Sequence, residues 1–163
     1  MHPEILSITL FGIVAAFTPG PNNFVAFYSG FNFGILRTLP HIIGVTLGFP
    51  FLLLCLALGL INIFKLYPLI QEVLKYLGTL FLNPKGVIAS IILVSTYINP
   101  GETFVSYTTQ IIIMALIVSV TSITLWTFLG KFFRKFATNQ KFINYFNYAM
   151  SLLLLTSIIT FYL

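Results

Sequence analysis

The chain has 163 residues, of which 58% are hydrophobic and 7% are charged, and its mean hydropathy is +1.02 with a net charge of +5. This composition cannot cover a globular core with a polar surface, so it argues against a water-soluble fold and predicts an integral membrane protein. The alternating ten-residue patterns of membrane barrels are absent, which favours membrane-spanning helices.

Six apolar runs follow one another along the chain. A helix needs roughly 20 apolar residues to cross the hydrocarbon of a bilayer, so the sequence predicts an all-α, polytopic bundle of about six transmembrane helices in a single domain. Turn and charge signals separate the runs, for example Arg37 with Pro40 and Lys65 with Pro68. The six runs are residues 5–33, 41–64, 67–82, 87–98, 104–129 and 144–163 of the domain 1–163.

The first run contains the stretch FTPGPNN. Pro19 and Pro21 each remove a backbone donor and clash with the preceding turn, and Gly20 between them is flexible, so the helix should break there. Carbonyl groups freed in hydrocarbon need protein or trapped water to bond them, so the broken span should line a cavity inside a bundle. Asn22 and Asn23 could cap the second half-helix, whose positive end suits a carboxylate. The alternative is a structural kink whose asparagines bond a neighbouring helix.

His41, Gly44 and Gly48 are the notable residues of the second run. His41 beside Pro40 is typical of a membrane interface, although it and Glu72 are the candidates for a proton carrier. The two glycines lie four residues apart on one helix face, a spacing that lets backbones approach closely. The sequence therefore predicts packing of this face against the first span or against another subunit.

A second interruption opens the fourth run, with Asn83, Pro84, Lys85 and Gly86 in succession. Paired interruptions in corresponding three-helix halves indicate a transporter built as an inverted repeat, with its binding site between the halves. A lysine within the bilayer must pair, face water or reach the interface. Lys85 could thus attract a substrate carboxylate in a cavity, or could anchor the helix at the cytoplasmic end.

Half of the eight basic residues lie between the fifth and sixth runs, at Lys131, Arg134, Lys135 and Lys141. Cytoplasmic loops are enriched in lysine and arginine, so this segment is predicted to be cytoplasmic and both termini to lie outside. Phenylalanines alternate with the cations, which is typical of an interfacial turn attracted to anionic lipid. Nucleic-acid binding is not needed to explain it.

Residues that carry enzyme chemistry are scarce in this sequence. Its two histidines and three acidic residues form no HExxH, GxSxG or paired-carboxylate pattern, so an enzyme is not predicted. The single cysteine, Cys55, does not suffice for a thiol redox relay, which needs a pair. No catalytic residue, metal site or cofactor is expected.

Four motifs together carry a family resemblance. GIVAAFTPGPNN, HIIGVTLGF, LKYLGTLFL and NPKGVIAS, in the first four runs, resemble the LysE/RhtB family of amino-acid exporters. The resemblance implies a six-helix protein of the inner (plasma) membrane that exports amino acids or related small metabolites, driven by the proton motive force, and it leaves homo-oligomerisation open. The substrate-binding positions that it implies are Pro19, Gly20, Pro21, Asn22, Asn23, Asn83, Pro84 and Lys85.

The chain departs from the family pattern before the NPK motif, where family members carry a longer third span and a loop. Residues 67–98 are about 32 residues, or roughly 48 Å of helix, whereas two full spans need about 60 Å. Two interpretations follow from this shortening. The protein is either a compact exporter, or a non-transporting membrane subunit or internally deleted remnant of such an exporter.

Overall fold

The structure is a computed structural model that describes residues 4–60, 66, 67, 69, 84–98, 101 and 103–159. Regular secondary structure in these ranges is helical throughout, which confirms the all-α prediction. The third predicted span lies outside the described residues, except for Tyr67 and Leu69, and so does Glu72.

Five α-helices are found in the described ranges, and one π-helical segment directly continues the second of them. They are α1 (Glu4–Phe17), α2 (Pro21–Cys55, followed by the π-helical Leu56–Leu60), α3 (Pro84–Tyr97), α4 (Phe104–Arg134) and α5 (Gln140–Ile159).

The predicted break in the first run is confirmed. α1 ends at Phe17 and α2 begins at Pro21, with three non-helical residues between them. Proline suits this first helical position because its missing N–H would have no partner within the helix there. The carbonyl of Gly20 accepts the first hydrogen bond of α2, from the N–H of Phe24 at 2.9 Å.

The separation predicted between the first two runs, at residues 34–40, is present within α2, although Arg37 and Pro40 themselves are helical. The helix is interrupted instead at Gly34, whose φ of 77° is readily adopted only by glycine. Thr38 Oγ1 donates to the Gly34 carbonyl at 2.7 Å, and the Ser29 hydroxyl lies 2.8 Å from Thr38 Oγ1. Side chains therefore bond the backbone where the ladder is disturbed, while Pro40 removes only one backbone donor.

Two helices of the described chain are long and apolar enough to cross a membrane. They cover Pro21–Gly59, with 39 residues, and Phe104–Arg134, with 31 residues. Two shorter apolar helices cover Ile5–Phe17 and Lys85–Tyr97. Length and composition are thus compatible with membrane insertion at these helices. The finer prediction of about six spans stays a prediction.

The chain folds as two compact units, each made of two separate segments. Unit 1 consists of Met1–Ala16 and Leu47–Val118, and unit 2 of Phe17–Thr46 and Ser119–Leu163. α2 is therefore divided between the units after Thr46, and α4 after Val118. The prediction of one domain over residues 1–163 stays a prediction.

The core of unit 1 is built from α1, the end of α2, α3 and the first half of α4. Gly12 of α1 faces Met114 of α4, where a Cβ would come within 2.8 Å of the methionine sulfur. These two helices consequently pack closely. The buried side chains are those of Ile8, Leu53, Leu56, Leu93, Val94, Ile111 and Ala115.

In unit 2, the backbones of α2 and α4 touch at two glycines. A Cβ on Gly30 would overlap the carbonyl of Thr127, and a Cβ on Gly130 would overlap the carbonyl of Phe27. Small residues permit such a crossing because no side chain separates the helices. The helices run in the same direction, since contacts advance along both from Phe27 with Trp126 to Phe31 with Arg134.

The prediction that Gly44 and Gly48 pack against the first span is wrong. Both are exposed, and no described residue lies within 4 Å of a Cβ built on either. The close approach is made by Gly30 and Gly130 instead. Packing of the Gly44 face against another subunit stays a prediction.

Replacing Gly30 or Gly130 by alanine should destabilise the protein. The added methyl group would meet backbone that cannot move aside, so we expect a loss of about 1–3 kcal/mol. Gly44→Ala is the matched control, because its methyl group enters open space and helix propensity favours alanine by about 1 kcal/mol. Thermal or chemical unfolding in detergent measures the effect. Equal stability of Gly30→Ala and Gly44→Ala would contradict the crossing.

Candidate functional site

The helix break in unit 2 is held together by Asn23. Its Nδ2 donates to the carbonyl of Thr18 at 2.9 Å, and the residue is 8% exposed. The amide thus reaches back across the break and bonds a carbonyl at the end of α1. The sequence predicts that Asn23 caps α2, whereas in the structure its amide bonds a carbonyl just after the end of α1, and an ordinary hydrogen bond of this kind contributes about 0.5–1.5 kcal/mol.

Asn22 is in a different position, although it is the neighbouring asparagine. It is half-buried, and its side-chain amide makes no hydrogen bond to any described residue. Its backbone carbonyl lies 3.2 Å from Nε2 of His41. Asn22 therefore presents an amide, which can donate and accept, within the first turn of α2.

His41 is brought to the break from 19 residues further along the chain. Because a carbonyl can only accept, the Nε2 atom must carry the hydrogen of this bond, and in the neutral ring Nδ1 is then the acceptor. The sequence predicts an interfacial position for His41 and does not place it among the site residues. The contact between His41 and Asn22 is visible only in the structure, where the part of α2 after Gly34 lies beside its first turn.

The remaining residues of the motif shape the break. Gly20 and Pro21 are buried, whereas Pro19 and Thr18 are exposed. The first turn of α2 is thus anchored in unit 2 while the connection before it reaches the surface of the described structure. Of the eight predicted substrate-binding positions, five are brought together here, namely Pro19, Gly20, Pro21, Asn22 and Asn23.

The NPK residues belong to unit 1. Asn83 lies outside the described residues, and Pro84 begins α3, as expected of proline at a first helical position. Lys85 follows it and is half-buried. A cation in the first turn opposes the helix dipole by roughly 0.3–1 kcal/mol. Lys85 is therefore unfavourable for the helix itself. An anion at this position would be attracted both by the Lys85 ammonium group and by the positive end of α3.

Among the described residues, four buried polar side-chain atoms have no hydrogen-bond partner, and sequence analysis missed them. In unit 1 they are the hydroxyls of Ser90, which is fully buried, and of Thr108. In unit 2 they are Thr46 Oγ1 and Trp126 Nε1. An unpaired buried polar group costs about 1–3 kcal/mol, so each is a position where water or a ligand group would be stabilising.

Of these four residues, Trp126 lies near the break within unit 2. Its ring lies 6.4 Å from that of Phe24, the residue that follows Asn23, with the two ring planes nearly perpendicular. The described structure also contains a small cavity of about 20 Å³ between α1 and α4 in unit 1. This cavity holds roughly one water molecule, so it is too small for an amino acid.

Comparison with known proteins finds no matching family model, no similar curated protein and no similar solved structure. The resemblance to the LysE/RhtB family therefore stays a prediction from the motifs.

The two asparagines should differ in their effect on stability. Asn23→Ala removes the hydrogen bond to the Thr18 carbonyl, so we expect the free energy of unfolding to fall by about 0.5–1.5 kcal/mol. Asn22→Ala breaks no hydrogen bond and should change it by less than about 0.5 kcal/mol. Unfolding of the purified variants in detergent, followed by circular dichroism, makes the comparison. Equal losses would contradict the bond across the break.

Proposed function

We propose that this protein is a membrane exporter of amino acids or related small metabolites, driven by the proton motive force across the inner (plasma) membrane. The observation that carries the proposal is the broken helix, with an asparagine amide at the start of α2 that bonds no described residue. Breaks within apolar helices are costly unless the interrupted backbone lines a polar site, and transporters use such half-helix ends to bind substrates.

In this proposal the substrate carboxylate binds at the start of α2. The first N–H groups of a helix lack partners within it and carry partial positive charge, which favours an anion. The amide of Asn22 adds a donor at the same end, while Asn23 keeps the break in shape. A carboxylate at a helix N-terminus is a recurrent arrangement for small anions.

Lys85 supplies a second feature that supports an anionic group in the substrate. It combines a full positive charge with the positive end of α3, in the first turn of that helix. Ser90 lies five residues further on α3, with a buried hydroxyl that lacks a partner. We propose that Lys85 and Ser90 form a separate polar position within unit 1 that a solute can occupy.

His41 is the proposed site of proton coupling. It contacts the backbone of Asn22 through Nε2, which leaves Nδ1 of the neutral ring able to bind a proton. Histidine changes charge near neutral pH, so a proton there would alter the electrostatics beside the bound carboxylate. Glu72, the other candidate, lies outside the described residues.

The second candidate function is a non-transporting membrane subunit or a remnant of an exporter. Residues 67–98 favour it, because they are too few for two full spans. Such a protein would insert into the membrane and keep the broken helix, yet it would move no solute.

An efflux assay distinguishes the two functions. Cells that express the chain are loaded with radiolabelled amino acids and compared with vector controls, with membrane insertion confirmed by blot. Faster loss of one solute, abolished by a protonophore, is the expected result. No efflux across the whole panel from well-inserted protein would favour the non-transporting alternative.

Asn22→Ala should abolish export at an unchanged protein level, because the substrate loses a donor that the fold does not need. Asn144→Ala is the matched control, since that asparagine is exposed on α5 and bonds only to Gln140 among the described residues. Both variants are measured in the same efflux assay. Unchanged export by Asn22→Ala would refute its proposed role.

His41→Gln should separate transport from coupling. Glutamine can still donate to the Asn22 carbonyl but binds no proton at neutral pH. We expect the variant to exchange internal for external substrate while losing stimulation by a proton gradient. Vesicles with an imposed pH gradient provide the measurement, and a gradient response equal to that of the unmodified protein would rule His41 out.

A further inference from the structure

The net charge of the chain is concentrated in unit 2. This unit contains five of the eight basic residues and no aspartate or glutamate. The other three lysines belong to unit 1, together with all three glutamates, so the charges of unit 1 cancel. Unit 2 therefore has no acidic side chain of its own to neutralise its cations. Those cations are Arg37, Lys131, Arg134, Lys135 and Lys141.

Four of the five cations lie at residues 131–141, which run from the last turn of α4 to the first turn of α5 and are called the basic turn below. All four are exposed. The guanidinium of Arg134 lies 5.3 Å from the centre of the Phe31 ring, which is itself buried and stacked on Phe146 at 3.6 Å. Cation–π attraction thus holds Arg134 to the core of unit 2 and leaves the three lysines for external anions.

Three exposed phenylalanines lie among these lysines. Phe132, Phe133 and Phe136 are 46–57% exposed, and their ring centres are 5.3–6.4 Å apart in edge-to-face pairs. Lys135 lies 6.0 Å from the centre of the Phe132 ring. The turn thus carries an apolar cluster directly beside ammonium groups, and the cluster is continuous with the core through Phe133 and Phe27, 5.5 Å apart.

We propose that the basic turn is a binding surface for anionic phospholipid headgroups. The rings of the cluster enter the boundary between headgroups and acyl chains, while Lys131, Lys135 and Lys141 meet the lipid phosphates. A nucleic acid would also supply phosphates, but it offers no apolar layer for three adjacent rings.

This inference depends on the membrane location in the proposed function, but it does not depend on transport. Lipid binding is measured on purified protein without any substrate. A protein that binds anionic lipid and exports nothing would refute the exporter and leave this surface intact, and the converse result would refute only the surface.

Trp126 offers a reporter within the same unit. It is the single tryptophan of the chain, and its ring lies 6.1 Å from that of Phe27, which contacts Phe133 of the basic turn. Energy transfer from Trp126 to a dansyl group on the acyl chain of a phospholipid therefore reports lipid bound near the turn. The full-length protein in uncharged detergent is titrated with dansylated phosphatidylglycerol and, separately, with dansylated phosphatidylcholine.

The test variant replaces Lys131, Lys135 and Lys141 by glutamine, and the matched control replaces the same three by arginine. Each cation near an anionic surface contributes roughly 1 kcal/mol, so the glutamine variant should bind phosphatidylglycerol about a hundredfold more weakly. The arginine variant should bind it as the unmodified protein does. Circular dichroism and the Trp126 emission without lipid confirm that each variant is folded.

A salt titration of the unmodified protein gives an independent measurement if the glutamine variant does not fold. Preference for phosphatidylglycerol over phosphatidylcholine should weaken as salt screens exposed charges. Equal binding of the two lipids, a preference insensitive to salt, or full retention by the folded glutamine variant would each overturn the proposal. Displacement of the dansylated lipid by an oligonucleotide at lower concentration than by unlabelled phosphatidylglycerol would assign the surface to nucleic acid instead.

Discussion

The need to bond backbone groups at an interrupted apolar helix governs the arrangement around residue 20. Two prolines remove backbone N–H donors there. A carbonyl that lacks a hydrogen bond in an apolar environment lowers the stability of the fold. Asn23 meets this need by bonding the Thr18 carbonyl, and Gly20 accepts the first bond of α2. The break is thus a bonded element of the fold, and the neighbouring amide of Asn22 bonds no described residue.

Gly34 follows the same principle with different side chains. A glycine with positive φ disturbs α2, and Thr38 bonds the Gly34 carbonyl there while Ser29 bonds the Thr38 hydroxyl. The segment after Gly34 then carries His41 to the start of the same helix. The two interruptions lie within 20 residues of each other, and the apolar stretch folds back on itself. His41 is thereby brought to the turn that contains Asn22.

Close helix contact organises the rest of unit 2. Gly30 and Gly130 let α2 and α4 meet backbone to backbone, and aromatic rings fill the space beside this crossing. Because Phe31 packs under Arg134 and Phe27 packs against Phe133, the crossing also fixes the base of the basic turn. A structural contact in the core thereby determines which cations remain free at the surface.

The sequence by itself determined the helical class, the break at Pro19 to Pro21 and the concentration of positive charge in the basic turn. These follow from composition and from proline chemistry, which act locally. It did not determine that α2 is interrupted at Gly34 rather than at Pro40, because an isolated proline costs a helix one donor, whereas the φ of a glycine depends on its surroundings. Only the tertiary structure decided that Gly30 packs while Gly44 is exposed, and that of two adjacent asparagines one bonds the backbone and the other does not. Both depend on which distant segment lies opposite, and local pattern carries no information about that.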